Sequence, residues 1–152
     1  MTEAMNMAEV AFLNNEVPVG AIVVHKGEII GRGFNQVIAK NSISSHAEIN
    51  AINQASQFLK NYRLNGCDIY VTLEPCHMCA KAIVDARLNH LYYGASEPKT
   101  GAIESIDQFL ERDDINHNVI FSGGHMKVEC SELLKKFFKS KRAMKASQKN
   151  LF

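Results

Sequence analysis

Hydrophobic positions along this chain follow two periods, one typical of helices and the other typical of strands. Apolar residues recur every three or four positions in four long segments, and shorter β-branched runs lie between them. The helical segments span residues 1–15, 46–60, 75–86 and 126–146, and a shorter helix is predicted at 103–110. The strand-like runs span residues 17–24, 28–31, 67–73, 88–95 and 119–121.

The order of these elements predicts an α/β protein, a three-layer α/β/α sandwich with a mixed central sheet. A short glycine-bearing turn at residues 25–27 joins the first two runs into a hairpin. The later strands alternate with helices, which is typical of parallel crossover units. The 152 residues contain no linker or repeat, so we expect a single domain over residues 1–152 that ends in the helix at about 126–146.

The charge of the chain is unevenly distributed. The formal net charge is only +1, but the 28 residues from His125 carry eight basic and two acidic side chains. The rest of the chain has a net charge of −5. This asymmetry indicates a polyanionic partner for the basic C-terminal helix, although the overall charge argues against a strongly basic nucleic-acid binder.

The sequence predicts neither a targeting segment nor a membrane segment. Its first ten residues include two glutamates and no basic residue, and they lack the apolar stretch of a signal peptide. No segment approaches the ~18 apolar residues of a membrane span. We therefore expect cytoplasmic localisation and no membrane association.

Four cysteines, Cys67, Cys76, Cys79 and Cys130, could form two disulfides in an oxidising compartment. A reducing compartment instead favours metal binding or buried thiols. We expect Cys67 and Cys130 to be buried as small apolar side chains.

Two short segments contain the candidate chemistry: His46-Ala47-Glu48 and Pro75-Cys76-His77-Met78-Cys79. Cys76 and Cys79 are three positions apart and share a helix face, and each segment opens a helix. A catalytic zinc site needs three sulfur or nitrogen ligands and one open position. The cysteine pair alone could also be a redox motif or half of a structural zinc site. The added His-x-Glu favours catalysis, because an unligated Glu48 can transfer protons.

His-x-Glu followed by Pro-Cys-x-x-Cys is the pattern of the zinc deaminases. The chain resembles the bacterial tRNA-specific adenosine deaminases of the cytidine/deoxycytidylate deaminase superfamily. The similarity runs from about residue 3 to residue 145. The segments that carry it are residues 16–21, 33–35, 46–49, 61–64, 71–76, 99–102, 115–117 and the paired Phe137-Phe138.

This resemblance implies a cytidine deaminase-like homodimer with one Zn²⁺ per subunit. The expected reaction converts the wobble adenosine of a tRNA anticodon stem-loop, in an arginine tRNA, to inosine. The implied zinc ligands are His46, Cys76 and Cys79, and the implied proton shuttle is Glu48. The implied nucleotide contacts are Asn35, Glu97, Asn116 and Phe137 or Phe138.

The chain departs from the family pattern at three places. Residues 41–45 differ from the usual loop before the histidine, and Glu97 replaces an aspartate that is usual in its loop. His77, between the two cysteines, should point about 100° away from Cys76 and is expected to be exposed. Glutamate at position 97 can accept the same ribose-hydroxyl hydrogen bond as aspartate, from a longer reach.

Two alternative functions stay open. The zinc motif equally suits a deaminase of a free base or nucleoside, such as cytosine, guanine or cytidine. A non-catalytic zinc-binding module is the other, although such a module has no use for an unligated Glu48.

In the C-terminal helix, Phe137 and Phe138 lie about 100° apart. One is expected to join Leu133 and Leu134 in the core, and the other could stack on a base.

Overall fold

The computed structural model describes residues 1–151, and in it five strands form one sheet flanked by four α-helices. The elements are α1 (Thr2–Leu13), β1 (Gly20–His25), β2 (Glu28–Phe34), α2 (Ala47–Leu59), β3 (Cys67–Leu73), α3 (His77–Asp85), β4 (His90–Ala95), β5 (Ile120–Ser122) and α4 (Lys127–Lys149). This arrangement confirms the predicted α/β/α sandwich.

The sheet is mixed, with strand order β2-β1-β3-β4-β5. Strand β1 pairs antiparallel with both β2 and β3, and one irregularity shifts the β1–β2 register between Val23 and Val24. Strands β3, β4 and β5 run parallel to one another. The hairpin and the crossover connections predicted from the sequence are both present.

The helices cover both faces of the sheet. Helices α2 and α3 pack side by side on one face, while α1 and α4 meet on the other. The larger core lies between the sheet and the α2–α3 layer, and it includes Leu64, Ile69, Ile83 and Leu91, which are fully buried. A smaller cluster around Met5 and Cys130 joins α1 to α4.

Glycine at position 33 lets the start of α2 lie directly on β2. A methyl group at Gly33 would overlap the Ala47 carbonyl oxygen, and one at Gly31 would overlap that of Ala51. The backbone carbonyl oxygens of α2 cannot move aside as a flexible side chain could. The close approach therefore sets the position of His46 and Glu48 relative to the sheet.

The predicted helix at residues 103–110 is wrong. In this segment only Phe109–Glu111 is helical, as a short 3₁₀ turn, and residues 102–105 are in turns. The Phe109 N–H bonds the Ala102 carbonyl oxygen and the Ile106 N–H bonds that of Gly101, so the i→i−4 bonds of an α-helix do not form. The Glu74 carboxylate holds this turn conformation by accepting the N–H groups of residues 103–105.

Several predicted boundaries also shift by a few residues. Strand β1 begins at Gly20 rather than at residue 17, because Val19 donates its N–H to Val17 in a local turn. Helix α3 begins at His77, two residues after Pro75, and α4 continues to Lys149. Element ends depend on capping and local turns, which apolar periodicity does not report.

All four cysteines are free thiols, and Cys67 and Cys130 are buried as expected. Burial raises the pKa of both thiols, that of Cys130 to about 11. Among residues 1–151, no helix is long and apolar enough to cross a membrane.

Candidate functional site

The candidate site forms where the N-termini of α2 and α3 meet. His46 is the N-cap residue of α2, Cys76 is the N-cap residue of α3, and Cys79 lies in the first turn of α3. His46 Nδ1 is 3.7 Å from Cys76 Sγ and 3.5 Å from Cys79 Sγ. The three ligand atoms all lie within 4.8 Å of one another, so they can hold one metal ion.

The donor set and its spacing fit zinc. Bond lengths of about 2.0–2.1 Å to nitrogen and 2.3 Å to sulfur, in a tetrahedron, separate the two donors by about 3.6 Å. The distances from His46 Nδ1 to the sulfurs of Cys76 and Cys79, 3.7 Å and 3.5 Å, agree with this value. Two thiolates and an imidazole favour zinc over magnesium or calcium, which prefer oxygen ligands.

The pKa values of the two cysteine thiols shift in opposite directions. Hydrogen bonds donated by Cys79 and by His46 lower the pKa of Cys76 to about 4 despite its partial burial. The hydrogen bond with Cys76 and burial raise the pKa of Cys79, and hydrogen bonding to Cys76 also raises that of His46. A bound cation would displace the thiol protons of both cysteines, because the thiolate is the form that coordinates a metal.

Glu48 lies beside this cluster and is only 4% exposed. Burial raises the pKa of its carboxyl group above the ordinary value. A regular helix would rotate Glu48 about 200° from His46. His46 has the extended backbone of a cap (φ −78°, ψ 154°), and this break in helical geometry lets both side chains line one cavity.

That cavity has a volume of about 400 Å³, which suits a nucleobase or nucleoside. Its apolar walls are Val17, Val19, Val37, Ile38, Leu73 and Phe137, and its polar lining includes Asn35, His46, Glu48, Cys76 and Lys141. The side-chain oxygen Oδ1 of Asn35 accepts the Ala47 N–H at 2.8 Å. Its amide Nδ2 has no partner among residues 1–151, so it can donate to a ligand in the cavity.

The paired phenylalanines of α4 have different surroundings. Phe137 is buried, packs edge-on against Phe12 and lines the cavity, whereas Phe138 is 44% exposed. The expectation that the buried ring joins Leu133 and Leu134 is wrong. Those leucines pack with Met5 and Cys130, while the next turn of α4 directs Phe137 toward the end of α1.

The structure brings Asn35 and Phe137 to the cavity but not Glu97, Asn116 or Phe138. Glu97 lies in the loop after β4, where its carboxylate accepts the Lys99 N–H. The Asn116 side chain accepts a hydrogen bond from Arg87 at 2.9 Å. Within this single chain, the side chains of Glu97 and Asn116 bond to local partners and do not line the cavity.

His77 points away from the metal cluster, as expected. Its side chain is 50% exposed and pairs with Asp107 at 2.9 Å. His117 likewise lies apart from the cavity, and its Nε2 bonds the Leu88 carbonyl oxygen at 2.7 Å.

Two buried carboxylates hold the loops that border the cavity. Glu16, which the sequence analysis did not single out, accepts the N–H groups of Ile38 (3.2 Å) and Ala39 (2.8 Å). Its position next to the apolar run Val17-Pro18-Val19 was the available signal for a buried acid. Glu74 accepts four backbone N–H groups and the Ser105 hydroxyl, so it has a structural role at the end of β3.

The Glu74 hydrogen bonds predict a pH-dependent contribution to stability. Burial alone would raise its pKa, but the Glu104, Ser105 and Glu97 donors lower it below the ordinary 4.5. The contribution is therefore complete above pH 4.5 and is lost as the pH falls through the lower, folded-state pKa.

Replacing Glu74 with glutamine should reduce the free energy of unfolding at pH 7 by about 2–3 kcal/mol, because an amide leaves buried donors poorly paired. Urea denaturation measures this loss, and the exposed Glu111→Gln variant is the control. Equal stability of the two variants at pH 7 would contradict the role of Glu74.

Comparisons with known proteins agree with this geometry. The family model described as MafB19-like deaminase matches residues 1–142. The tRNA-specific adenosine deaminase of Rickettsia bellii is 44% identical over 144 residues, which cover 93% of this chain and 99% of that protein. The enzyme of the same name from Streptococcus pyogenes serotype M1 is 40% identical over 151 residues, 99% of this chain and 88% of that protein.

A solved structure from a study of A-to-I editing by tRNA:A34 deaminases at the wobble position of transfer RNA is also similar. It superposes with a TM-score of 0.86 at 42% identity, covering 88% of this chain and 97% of that one. With the matching family model, the near-full-length relatives and the His-Cys-Cys cluster beside a buried glutamate, the chain belongs to the deaminase family that includes the bacterial tRNA-specific adenosine deaminases.

Proposed function

We propose that this chain is a zinc-dependent enzyme that deaminates adenosine to inosine at the wobble position of a tRNA anticodon, with an arginine tRNA as substrate. The observation that carries the proposal is the cavity in which Glu48 lies beside His46 and Cys76. The relatives that share this chain over nearly its full length act on tRNA adenosine, according to their names.

His46, Cys76 and Cys79 would hold the metal. When bound, zinc supplies a Lewis acid that lowers the pKa of water toward neutrality. Three protein ligands leave one position of a tetrahedral site open, which distinguishes a catalytic site from a closed structural one.

Glu48 moves the protons of the reaction. Its carboxylate accepts one proton from the attacking water and delivers it to N1 of the adenine ring. The water oxygen bonds to C6, and Glu48 passes the second water proton to the amino group. The C6–N bond then breaks, so that inosine and ammonia are the products.

The other cavity residues orient the nucleotide. The Asn35 Nδ2 group donates to an acceptor of the flipped adenosine, while apolar walls such as Leu73 and Phe137 exclude water from the base. Glu97, Asn116 and Phe138 lie outside this cavity, and we assign them to the flanking anticodon nucleotides. The anticodon loop is single-stranded, which reduces the cost of extruding its base.

We further propose a cytoplasmic homodimer with one zinc ion per subunit and a single deaminase domain over residues 1–152. The basic face of α4 supplies RNA-binding charge, since Lys135, Lys136 and Lys139 are exposed on it. The acidic remainder of the chain limits contact to the anticodon region.

The charge of α4 predicts salt-dependent tRNA binding. If four to six phosphates are contacted, raising the salt from 50 to 200 mM should weaken binding roughly 100-fold, because releasing counterions into more concentrated salt gains less free energy. Filter binding or fluorescence anisotropy over this salt range measures the slope. An affinity that does not change with salt would contradict phosphate contacts by α4.

A direct assay tests the proposed function against both alternatives. The zinc-loaded protein is incubated separately with arginine tRNA bearing a wobble adenosine, with free adenosine, with cytidine and with guanine. Inosine at the wobble position alone supports the proposal. Ammonia from a free base or nucleoside supports the small-molecule alternative, and a zinc-loaded protein inactive on every substrate supports a non-catalytic module.

A further inference from the structure

Lys141 differs from the other lysines of α4 in its position. It lies one turn after Phe137, is half-buried and lines the same cavity as Glu48 and Cys76. Lys135, Lys136, Lys139 and Lys145 are exposed and lie outside that cavity.

Two neutral contacts hold the Lys141 side chain at this place. Its ammonium donates a hydrogen bond to Asn15 Oδ1 at the end of α1. The same nitrogen lies 5.3 Å from the centroid of the Phe137 ring, within cation–π range. Neither contact neutralises the charge, and no carboxylate among residues 1–151 forms an ion pair with Lys141.

The nearby acids are already committed elsewhere. Glu16 accepts N–H groups from residues 38 and 39, and Glu74 accepts the donors of the loop after β4. Glu48 lies with the metal cluster at the N-termini of α2 and α3. Lys141 instead belongs to the wall formed by α1 and α4, so its charge is available to a substrate anion.

We infer that Lys141 binds the phosphate next to the target nucleotide and so makes the cavity selective for RNA over free nucleosides. This inference rests on the proposed function. A base bound near Glu48 must extend its sugar-phosphate backbone out of the cavity, and Lys141 is the cavity-lining cation. Phosphate accepts a charge-assisted hydrogen bond from an ammonium, whereas a free nucleoside offers no such anion.

Two variants separate the charge of Lys141 from its packing. Lys141→Gln retains a donor for Asn15 but removes the charge, and Lys141→Arg retains the charge. Lys145→Gln, one turn further along α4, is the matched control for loss of a lysine. Zinc content and the thermal midpoint of each variant should match those of the unmodified protein.

The substrates are anticodon stem-loop RNAs with a wobble adenosine, either unmodified or with one neutral methylphosphonate on the 5′ or 3′ side of that adenosine. For the unmodified RNA, Lys141→Gln should raise KM about tenfold with kcat nearly unchanged. Lys141→Arg should restore KM, and Lys145→Gln should leave it within about twofold.

The decisive comparison is between charge loss on the protein and charge loss on the RNA. One of the methylphosphonate RNAs should raise KM about tenfold for the unmodified protein and should cause no further increase for Lys141→Gln. Independent, additive losses, or an unchanged KM for Lys141→Gln, would overturn the inference while leaving the proposed function intact. Failure of the unmodified protein to form inosine in unmodified RNA would instead contradict the proposed function.

Discussion

Replacing Glu48 with glutamine should reduce kcat for inosine formation about 10³-fold or more, while the protein stays folded and binds zinc. Glutamine has nearly the same shape as glutamate but cannot accept a proton from water at neutral pH. General acid–base catalysis by one positioned group contributes about 10²–10⁴-fold. Because Glu48 acts twice in the proposed reaction, we expect a loss in the upper part of that range.

Three measurements define this result: single-turnover inosine formation, zinc content and the circular dichroism spectrum. Glu28→Gln, an exposed change in the β1–β2 hairpin, is the matched control and should be as active as the unmodified protein. A Glu48→Gln or Glu48→Ala protein that retained full activity would remove Glu48 from the mechanism.

Replacing Cys79 with alanine should reduce bound zinc from one ion per chain to less than about a tenth and eliminate deamination. Cys79 is buried, and its sulfur lies 3.5 Å from His46 Nδ1, so its loss leaves only two of the three candidate ligands. Two ligands bind zinc far more weakly than three, and without the metal the attacking water is not activated. The thermal midpoint should also fall, because metal binding stabilises the folded chain.

Cys67→Ala is the control for this change, since Cys67 is buried but lies outside the metal cluster. It should retain zinc and activity even if its stability decreases. Chelation of the unmodified protein should abolish activity, and added zinc should restore it. Full zinc occupancy and activity in Cys79→Ala would show that His46, Cys76 and Cys79 are not the metal ligands.

The candidate metal cluster could be anticipated because its members belong to short, local patterns. Cys76 and Cys79 share a face through helix geometry, and His46 opens the other long apolar-periodic helix. Glu48 follows His46 by two positions, so its proximity depends only on the cap geometry of α2. These relationships require few long-range contacts to be known in advance.

The loop after β4 could not be anticipated in this way. Ile103 and Leu110 suggest a helix by their apolar spacing, but the backbone donors of residues 103–105 bond to Glu74, about thirty positions away. Apolar periodicity indicates which faces are buried, but it does not predict that a distant carboxylate will hold the backbone in turns, with the Phe109 N–H bonded to the Ala102 carbonyl oxygen. Glu16 organises the loop at residues 38–39 by the same kind of non-local contact.

By itself, the sequence predicted the order of the five strands and four long helices, the mixed sheet, the buried thiols and the candidate metal ligands. Only the tertiary structure decided that Phe137 rather than Phe138 is buried, that Asn116 bonds Arg87, and that Lys141 lines the cavity. The physical reason is the range of the interactions. Element type and ligand spacing follow from neighbours along the chain, whereas the members of a cavity depend on how separate helices pack across the sheet.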